Sequence, residues 1–414
     1  MKLNKFTTTL IIILLTFLNL TIPCFANPPE LKSEAAILFE TSTGNVLYQK
    51  NATEKLYPAS TTKILTAIIT IENCDLDEIA TVSKNAVDLV PSGYSNGGLI
   101  AGEKMAIKDL LYALMLNSAN EAANVLAEHV SGNIDEFTKL MNEKAIEIGC
   151  TGSHFINTNG MHDENHYTTA ADLALIADYC MKNETFREIV STYTYPLPST
   201  NKYSKTDRIM KNTNQLLNPL SKHYLNSAIG IKTGFTSQAG NCLISAVEKN
   251  GTELISVTLK AGSSSKESSY RFSDSKALLE YGLDNFDFVK ITEKNKLIDT
   301  IKIENATEET QNLNIIVKEN ITDFINTNLE IEETNNEINS EILAPVKKGD
   351  VLGSITYTAG EHTYTVDLIA ENNVEEKTHY EIYIAIGIGV CLVISIIIII
   401  VIKSRKTHRQ NSQY

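Results

Sequence analysis

The sequence carries few basic residues for its length, and no basic patch is visible outside its last residues. Its 414 residues include 50 acidic and 36 basic side chains, which gives a formal net charge of −14. Because binding to phosphate backbones requires a basic face, this balance excludes nucleic acid as an expected partner. The surplus of acidic groups is instead expected to keep the protein soluble.

The sequence also lacks the paired cysteines of a metal or redox motif. Six cysteines are spread along the chain, and none belongs to a C-x-x-C pair. Two fall in apolar segments near the ends, and four lie between them: Cys74, Cys150, Cys180 and Cys242. Four cysteines allow three disulfide pairings, but the apolar run around Cys242 favours buried free thiols over a disulfide framework.

No histidine cluster has the spacing of a metal site. His154, His162 and His166 lie in one short segment, but no cysteine or carboxylate accompanies them at ligand spacing. The sequence therefore predicts neither a bound metal ion nor an organic cofactor.

The N-terminal segment has the composition of a secretory signal. Lys2 and Lys5 precede an apolar stretch over residues 10–25, and small residues occupy both positions that a signal peptidase reads, Cys24 and Ala26. Residues 1–26 are therefore predicted to form a cleaved signal peptide, with a retained N-terminal anchor as the alternative.

The other end of the chain predicts a membrane anchor. Residues 382–402 contain no charged side chain, and as a helix they would span roughly 30 Å, the thickness of a bilayer core. Basic residues follow directly at Lys403, Arg405, Lys406 and Arg409. Because positive charge favours the cytoplasmic side, residues 403–414 are predicted to form a cytoplasmic tail, with the rest of the protein outside the membrane.

Between these ends, apolar periodicity predicts strands on both sides of a helical region. A hairpin is expected over residues 35–48, turning at 43–45, and a strand over 251–259. Helices are expected at 60–73, at 169–181, at 273–281, and as a pair within 107–130 that is broken near Ser118. Strands that flank a block of helices indicate an α+β layer fold rather than alternating βαβ units.

After Asp287 the pattern changes to short strands. Runs such as 314–317 and 354–357 are apolar, and acidic, Asn-rich segments including 330–341 are expected to be turns. We therefore expect a small all-β domain over residues 288–376, following a first domain over 27–287. The expected role of this β-domain is to hold the first domain away from the membrane.

Three short polar motifs occur in a fixed order in the first domain. They are Ser60-Thr61-Thr62-Lys63, Ser118-Ala119-Asn120 and Lys232-Thr233-Gly234. Ser118 follows Ser60 by 58 residues and Lys232 follows it by 172. Each motif alone is weak, but this order and spacing are typical of penicillin-recognising serine enzymes.

The first motif has the chemistry of an activated nucleophile. Ser60 and Lys63 are three residues apart, so a helix places both side chains on one face. A serine hydroxyl needs a nearby base to become a nucleophile. Burial together with the charge of Lys232 would lower the pKa of Lys63, so that its neutral amine can act as this base. The backbone amides of Ser60 and Phe235 are the expected oxyanion donors.

Each motif also has a structural interpretation. Ser60 could simply cap a helix, the second motif could mark a helix break, and the third could be a surface turn. The apolar residues on either side of the third motif, Ile229 and Ile231 before it and Cys242 to Ile244 after it, instead indicate core strands.

The residues around the motifs carry a family resemblance. The segments 58–63, 117–123 and 230–236 resemble the D-alanyl-D-alanine carboxypeptidases, which are low-molecular-weight penicillin-binding proteins and serine peptidases of the S11 type. The similarity runs from about residue 30 to about 375, and 344–353 resembles the family's C-terminal β-domain. It implies a catalytic domain like those of penicillin-recognising transpeptidases and β-lactamases, with an antiparallel sheet and helices, followed by the β-domain and the transmembrane helix.

The resemblance also implies residue roles and an activity. Ser118 would relay a proton to the leaving amine, Asn120 would bind the substrate backbone, Lys232 and Thr233 would engage the terminal carboxylate, and Gly234 would let the peptide approach the strand. The implied reaction removes the terminal D-alanine from peptidoglycan stem pentapeptides through an acyl-enzyme, which limits cross-linking. β-Lactams are the expected covalent inhibitors.

One segment departs from the family pattern. Many relatives have Asn-Pro-His-Gly where this chain has Asn157-Thr158-Asn159-Gly160, so slower turnover is expected.

Two other functions stay open. A β-lactamase would need a glutamate in an E-x-x-L-N loop, whereas Glu164 and Asn165 are followed by His166 and Tyr167. A catalytically slow, penicillin-binding cell-wall scaffold is the second alternative.

Overall fold

The computed structural model describes residues 27–378 and 380–410. The predicted signal peptide and the last four residues of the predicted tail therefore lie outside the described residues. The chain forms two compact units. The first comprises described residues up to Phe288 together with 324–328, and the second comprises 289–323 and the described residues from Leu329 onward.

The first unit is built on a five-stranded antiparallel sheet. The strands of the whole unit are β1 (Ala35–Glu40), β2 (Val46–Lys50), β3 (Ile79–Thr81), β4 (Lys104–Ala106), β5 (Thr194–Pro196), β6 (Ile209–Lys211), β7 (Ala228–Thr236), β8 (Gly240–Lys249) and β9 (Thr252–Leu259). The sheet has the order β2-β1-β9-β8-β7, and β3-β4 and β5-β6 form separate two-stranded ladders. The predicted hairpin over 35–48 is present as β1 and β2.

Helices surround this sheet. They are α1 (Lys63–Asn73), α2 (Lys84–Asp88), α3 (Ile107–Leu116), α4 (Asn120–Ser131), α5 (Ile134–Ile148), α6 (Ala170–Met181), α7 (Glu184–Ser191) and α8 (Tyr270–Asn285). The predicted break near Ser118 separates α3 from α4. The helix predicted from Ser60 begins instead as a 3-10 turn, Ala59–Thr62, which leads directly into α1.

The inner strand β1 of the central sheet is buried along its whole length, so its side chains are apolar from Ala35 to Phe39. In β1, Ile37 and Phe39 belong to the cluster that includes the α1 side chains, whereas Leu38 belongs to a second cluster that includes Leu278 and Leu279 of α8. Successive strand residues point to opposite faces. Helices on both sides therefore remove the polar alternation that a half-exposed strand would show.

The second unit contains a five-stranded antiparallel sheet of its own. The remaining strands are β10 (Phe286–Thr292), β11 (Leu297–Lys302), β12 (Asn312–Val317), β13 (Ile321–Asn326), β14 (Ile331–Ile338), β15 (Val351–Ala359) and β16 (His362–Ala370). The sheet has the order β11-β12-β16-β15-β14. Leu313, Ile315, Ile355, Val366 and Leu368 form part of its buried core.

One sequence prediction is wrong in this unit. The acidic segment 330–341 was expected to be a turn, but Ile331–Ile338 forms strand β14, paired with β15 along its length. Nearly all side chains of β14 are exposed, so the strand shows no apolar alternation. Charged side chains on a sheet edge also hinder pairing with another chain, which is a reason for the polar composition.

The described chain ends in a long apolar helix, α9 (Tyr380–Gln410). Ile382–Arg405 is strongly apolar, and within the described residues α9 is the one helix long and apolar enough to cross a membrane. By length and composition, α9 is a candidate membrane anchor, as the sequence predicted for residues 382–402.

The four cysteines between the terminal segments are free thiols, as predicted. Cys180 and Cys242 are fully buried, and burial raises the pKa of the Cys242 thiol to about 11. These thiols therefore act as small core side chains.

Candidate active site

A cavity of about 510 Å³ opens beside β7, which is an edge strand of the central sheet. It brings together six residues that the sequence singled out: Ser60, Ser118, Asn120, Thr233, Gly234 and Phe235. The two predicted lysines, Lys63 and Lys232, are buried next to them rather than on the cavity surface. All eight predicted site residues therefore come from three separate segments that meet at one place.

The Lys63 side chain connects the first motif with the second and with the loop that carries Asn159. Its Nζ lies 2.9 Å from Ser60 Oγ, 2.8 Å from Asn120 Oδ1 and 2.6 Å from the backbone carbonyl oxygen of Asn159. Ser60 lies in the 3-10 turn and Lys63 is the first residue of α1, so the i,i+3 spacing brings the two side chains together as predicted. Ser60 Oγ thus faces the amine and does not cap the helix.

Burial controls the charge of Lys63. Its side chain is fully buried, and this burial, followed by the nearby charge of Lys232, lowers the pKa of Lys63 well below its usual value. The Glu121 carboxylate opposes the shift but does not cancel it. A lysine with a lowered pKa is neutral more often near neutral pH, as a base requires.

The backbone is strained on both sides of the cavity. Ala59, next to the nucleophile, has φ +50°, and Ser118 has φ +59°. Non-glycine residues in this left-handed region cost roughly 1–3 kcal/mol, and such strain is concentrated at functional sites. Asn120 lies two residues after Ser118, and its backbone and side-chain N–H groups both donate to the carbonyl of Ser95, which lies on the cavity wall.

The third motif lies on the edge strand β7. Lys232 is almost fully buried, and burial together with the charge of Arg271 lowers its pKa to about 7. Its Nζ donates to the carbonyl of Thr233 at 3.1 Å. The hydroxyls of Thr233 and Thr213 lie 2.6 Å apart, and both residues line the cavity.

Gly234 packs against the nucleophile turn. A Cβ atom at this position would lie 2.9 Å from the Pro58 carbonyl oxygen, 3.1 Å from Ser60 N and 3.2 Å from Ala59 Cβ. The sequence suggested that this glycine makes room for substrate. Its position gives a further reason for glycine at residue 234, because β7 can approach the turn that carries Ser60 only if this residue has no side chain.

We expect Gly234→Ala to slow acylation of the protein by labelled penicillin about 10- to 100-fold. The added methyl must displace the Ser60 turn by a few tenths of an ångström or more, and reacting groups tolerate little misplacement. The matched control is Gly387→Ala in α9, where a Cβ meets no atom within 4 Å. Unchanged acylation of Gly234→Ala would contradict the proposed packing effect.

Sequence reasoning missed Arg271. This α8 residue lines the cavity, and its guanidinium donates to the Gly234 carbonyl at 2.8 Å. Its Nε is buried and has no hydrogen-bond partner within the described part of the chain. A lone arginine on a helix gives no recognisable motif, so only the fold identifies it as a cationic group facing the cavity.

Asn159, in the segment that departs from the family pattern, uses its side chain to hold its own loop. Its side-chain Oδ1 accepts from Met161 N at 3.1 Å, and its Nδ2 donates to Asn124 Oδ1 at 3.4 Å. Both polar groups therefore hold the loop, and the residue is almost fully buried. Its direct contact with the catalytic group is made by the backbone carbonyl, which accepts from Lys63.

The three histidines of this loop do not form a metal site in the described structure. His166 is buried, which lowers its pKa to about 3, and its ring contacts Ile156 N and Thr62 Oγ1. Among the described residues, one group has the atoms to hold a metal ion: Cys74, Glu78 and His129, whose ligand atoms lie within 4.8 Å of one another. None of these three residues lines the cavity.

An antiparallel sheet with helices on both faces, and a Ser-x-x-Lys nucleophile facing an S-x-N turn and a K-T-G edge strand, define the class of penicillin-recognising serine hydrolases. The family profile described as D-alanyl-D-alanine carboxypeptidase, peptidase S11, matches residues 23–263. The profile described as penicillin-binding protein 5, C-terminal domain, matches 286–376.

Individual relatives agree. The D-alanyl-D-alanine carboxypeptidase DacF of Bacillus subtilis is 30% identical over 330 residues, covering 78% of this chain and 81% of its own. The crystal structure of DacD from Francisella tularensis, also a D-alanyl-D-alanine carboxypeptidase, has a TM-score of 0.64 at 28% identity, and the match covers 85% of this chain and 95% of the DacD chain. The Streptomyces K15 DD-transpeptidase structure has a TM-score of 0.58 at 33% identity, and the match covers 63% of this chain and 100% of the transpeptidase chain.

The chain belongs to the D-alanyl-D-alanine carboxypeptidase family, peptidase S11, and is a serine peptidase. The predicted family, fold class and enzyme class are thus confirmed.

Proposed function

We propose that this protein removes the terminal D-alanine from peptidoglycan stem pentapeptides through an acyl-enzyme on Ser60. The observation that carries the proposal is the set of three contacts made by Lys63 Nζ, with Ser60 Oγ and with two carbonyl oxygens. A neutral amine has two N–H donors and one lone pair. The carbonyls of Asn120 and Asn159 accept the two donors, which leaves the lone pair for the Ser60 hydroxyl proton.

The proposed reaction has two stages. In the first, Lys63 takes the hydroxyl proton while Ser60 Oγ bonds to the carbonyl carbon of the penultimate D-alanine, and the backbone amides of Ser60 and Phe235 stabilise the oxyanion. The C–N bond then breaks, and the proton passes through Ser118 to the leaving amine. In the second stage, water attacks the ester, which frees the shortened peptide and restores the Ser60 hydroxyl.

Recognition of the substrate is assigned to the β7 side of the cavity. Asn120 would hydrogen-bond the substrate backbone. Thr233 and Arg271 line the cavity with a hydroxyl and a cationic group, and Lys232 is buried next to them. A terminal carboxylate bound at this wall would offset the buried positive charge. The free Nε of Arg271 supports this assignment, because the described residues leave it without a partner.

This assignment predicts a pH effect on substrate affinity. Lys232 is protonated below its pKa of about 7 and attracts the carboxylate there, whereas above that pH it loses its charge. We expect KM for a pentapeptide to rise about tenfold from pH 6 to pH 9. In Lys232→Arg, the charge persists and KM should stay nearly constant. A wild-type KM that does not change with pH would count against a charged Lys232 at the carboxylate site.

The family assignment disfavours a β-lactamase, and the loop does as well. Glu164, the residue nearest to the required pattern, is exposed, and the following His166 contacts Thr62 rather than the cavity. Without a loop carboxylate to activate water, the acyl-enzyme formed with a β-lactam is expected to persist, so β-lactams should inhibit the protein.

The test measures free D-alanine released from a stem pentapeptide by the full-length protein in detergent micelles, with and without prior treatment with penicillin. Release that penicillin abolishes supports the carboxypeptidase. Penicillin labelling without any release supports the scaffold alternative. Rapid hydrolysis of penicillin itself supports the β-lactamase.

The proposed location is the outer face of a membrane. The uncharged part of α9, residues 382–402, is followed within the same helix by Lys403 and Arg405. Because positive charge favours the cytoplasmic side, the catalytic unit would lie outside. The proposed signal peptide, residues 1–26, would direct its export. Peptidoglycan is assembled on that side, where the enzyme would meet its substrate.

A further inference from the structure

Part of the catalytic cavity wall is formed by Gly93, Tyr94 and Ser95. They belong to residues 93–99, the wall loop, which contain no helix or strand. The hydrogen-bond ladders of regular structure therefore do not fix this part of the wall. Its conformation depends on contacts that its backbone groups make with other parts of the chain.

A single buried carboxylate anchors the C-terminal half of the wall loop. Glu121 Oε1 accepts from Gly97 N at 2.6 Å and from Leu99 N at 3.3 Å, and Glu121 is only 2% exposed. Hydrogen bonds from backbone N–H groups to a carboxylate are stronger than those between neutral groups. The packing is also tight, because a Cβ atom at Gly97 would lie 3.2 Å from Ala119 Cβ. The wall loop is therefore held against the start of α4.

The residue before Glu121 holds the middle of the wall loop. The Ser95 carbonyl accepts from Asn120 N at 3.1 Å and from Asn120 Nδ2 at 2.9 Å. An asparagine amide has one donor end and one acceptor end. Because Ser95 engages the Nδ2 end, the Oδ1 end is directed to Lys63 Nζ, from which it accepts at 2.8 Å. The position of the Ser95 carbonyl thus selects the end of the amide that meets the base.

We propose that Glu121 is a positioning residue for the Lys63 base. Glu121 fixes the wall loop, the wall loop places the Ser95 carbonyl, and that carbonyl orients the Asn120 amide toward Lys63. This inference rests on the proposed function, in which Lys63 takes the Ser60 proton. Glu121 itself does not line the cavity, so it acts on the reaction through these neighbours.

The charge of Glu121 has a second effect on the base. Its Oε2 is buried and has no hydrogen-bond partner among the described residues, so no donor from them neutralises this oxygen. The charged and titratable groups that act on Lys63 are Lys232 on β7, Glu121 on α4 and His166 between α5 and α6. His166 has a pKa of about 3 and is neutral at higher pH. Burial and Lys232 lower the pKa of Lys63, whereas Glu121 raises it, so loss of the Glu121 charge should lower that pKa further.

The test measures the second-order rate of penicillin acylation from pH 5 to pH 10, with the full-length protein in detergent micelles. Glu121→Gln removes the charge and keeps an oxygen that can accept from Gly97 N. The pH at the midpoint of the rate increase is expected to fall by about 0.5–1 unit, because Lys232 then acts on Lys63 unopposed. A purely structural role of Glu121 would not move this midpoint.

Two further variants separate position from charge. Glu121→Asp keeps the charge, but its shorter side chain cannot reach both Gly97 N and Leu99 N. Gly97→Ala keeps Glu121 and forces the wall loop away from α4. Both should lower the acylation rate at high pH about five- to tenfold and leave the midpoint within about 0.3 unit of wild type.

The matched control is Glu128→Gln, which should have the wild-type rate and midpoint. Glu128 is also a carboxylate of α4 that accepts from a neutral group, Asn85 Nδ2 at 2.9 Å, but it does not line the catalytic cavity. If Glu121→Gln does not fold, Glu121→Asp and Gly97→Ala still decide the positioning role.

An unchanged midpoint in Glu121→Gln would overturn the effect of charge, and unchanged rates in Glu121→Asp and Gly97→Ala would overturn the positioning role. Failure of the proposed function has a different signature. Wild type would then be acylated as expected but would release no D-alanine from a stem pentapeptide, while the variants would still decide the role of Glu121 in acylation. A wild-type protein that penicillin does not acylate at any pH would overturn both.

Discussion

Replacing Ser60 with alanine is expected to abolish covalent labelling by penicillin and to reduce D-alanine release by at least about 10⁴-fold. Ser60 supplies the oxygen that forms the acyl bond, and removal of such a nucleophile leaves only the residual catalysis of binding and oxyanion stabilisation. The structure is expected to tolerate the change, because the one described side-chain hydrogen bond of Ser60 is with Lys63. Labelling is measured with a fluorescent penicillin on denaturing gels.

The control for this experiment is Ser191→Ala, an exposed serine at the end of α7 whose hydroxyl bonds only its own helix in the described structure. It should label and turn over like wild type. Covalent labelling of Ser60→Ala at an undiminished rate would show that the nucleophile lies elsewhere. Ser118, which also lines the cavity, would then be the next serine to replace.

Replacing Lys63 with arginine is expected to reduce the acylation rate about 10²- to 10⁴-fold, the usual contribution of a general base. The guanidinium stays protonated at every accessible pH, so it cannot accept the Ser60 proton. The wild-type rate should rise with pH while Lys63 loses its proton. Because burial and Lys232 lower this pKa, that rise should end well below the usual lysine range near 10.5.

The measurement is the second-order rate of penicillin acylation from pH 5 to pH 10. The pH-dependent rise should be present in wild type and lost in Lys63→Arg. Lys182→Arg, an exposed lysine paired with Asp178, serves as the control and should leave the profile unchanged. If Lys63→Arg reacted within about tenfold of wild type, Lys63 would not be the base, and the buried amine would have a structural role.

Much of this site was predictable because its chemistry is local in sequence. Ser60 and Lys63 meet through helical spacing alone, and Lys232 to Gly234 lie on one strand whose apolar neighbours predict its burial. The break between α3 and α4 was also predictable from the interruption of apolar periodicity. Local rules of this kind need no knowledge of distant contacts.

Other features depend on contacts between distant parts of the chain. Arg271 reaches the cavity because α8 covers one face of the sheet, and nothing in its own neighbourhood marks it. Strand β14 exists because β15 offers it a partner, although its polar composition suggested a turn. The packing of Gly234 against the Ser60 turn likewise depends on contacts between residues that are distant in sequence.

Residue types at fixed local spacing encode the family, the α+β order of elements, the candidate nucleophile and base, and the apolar helix at the C-terminus. Contacts between distant segments select the groups that complete the site. The Asn159 carbonyl that accepts from Lys63 is a backbone atom that any residue would supply, so residue type does not encode its contact. A second cavity beside Asn159 likewise exists only where residues of α2, α4 and α5 meet the loop that carries Asn159.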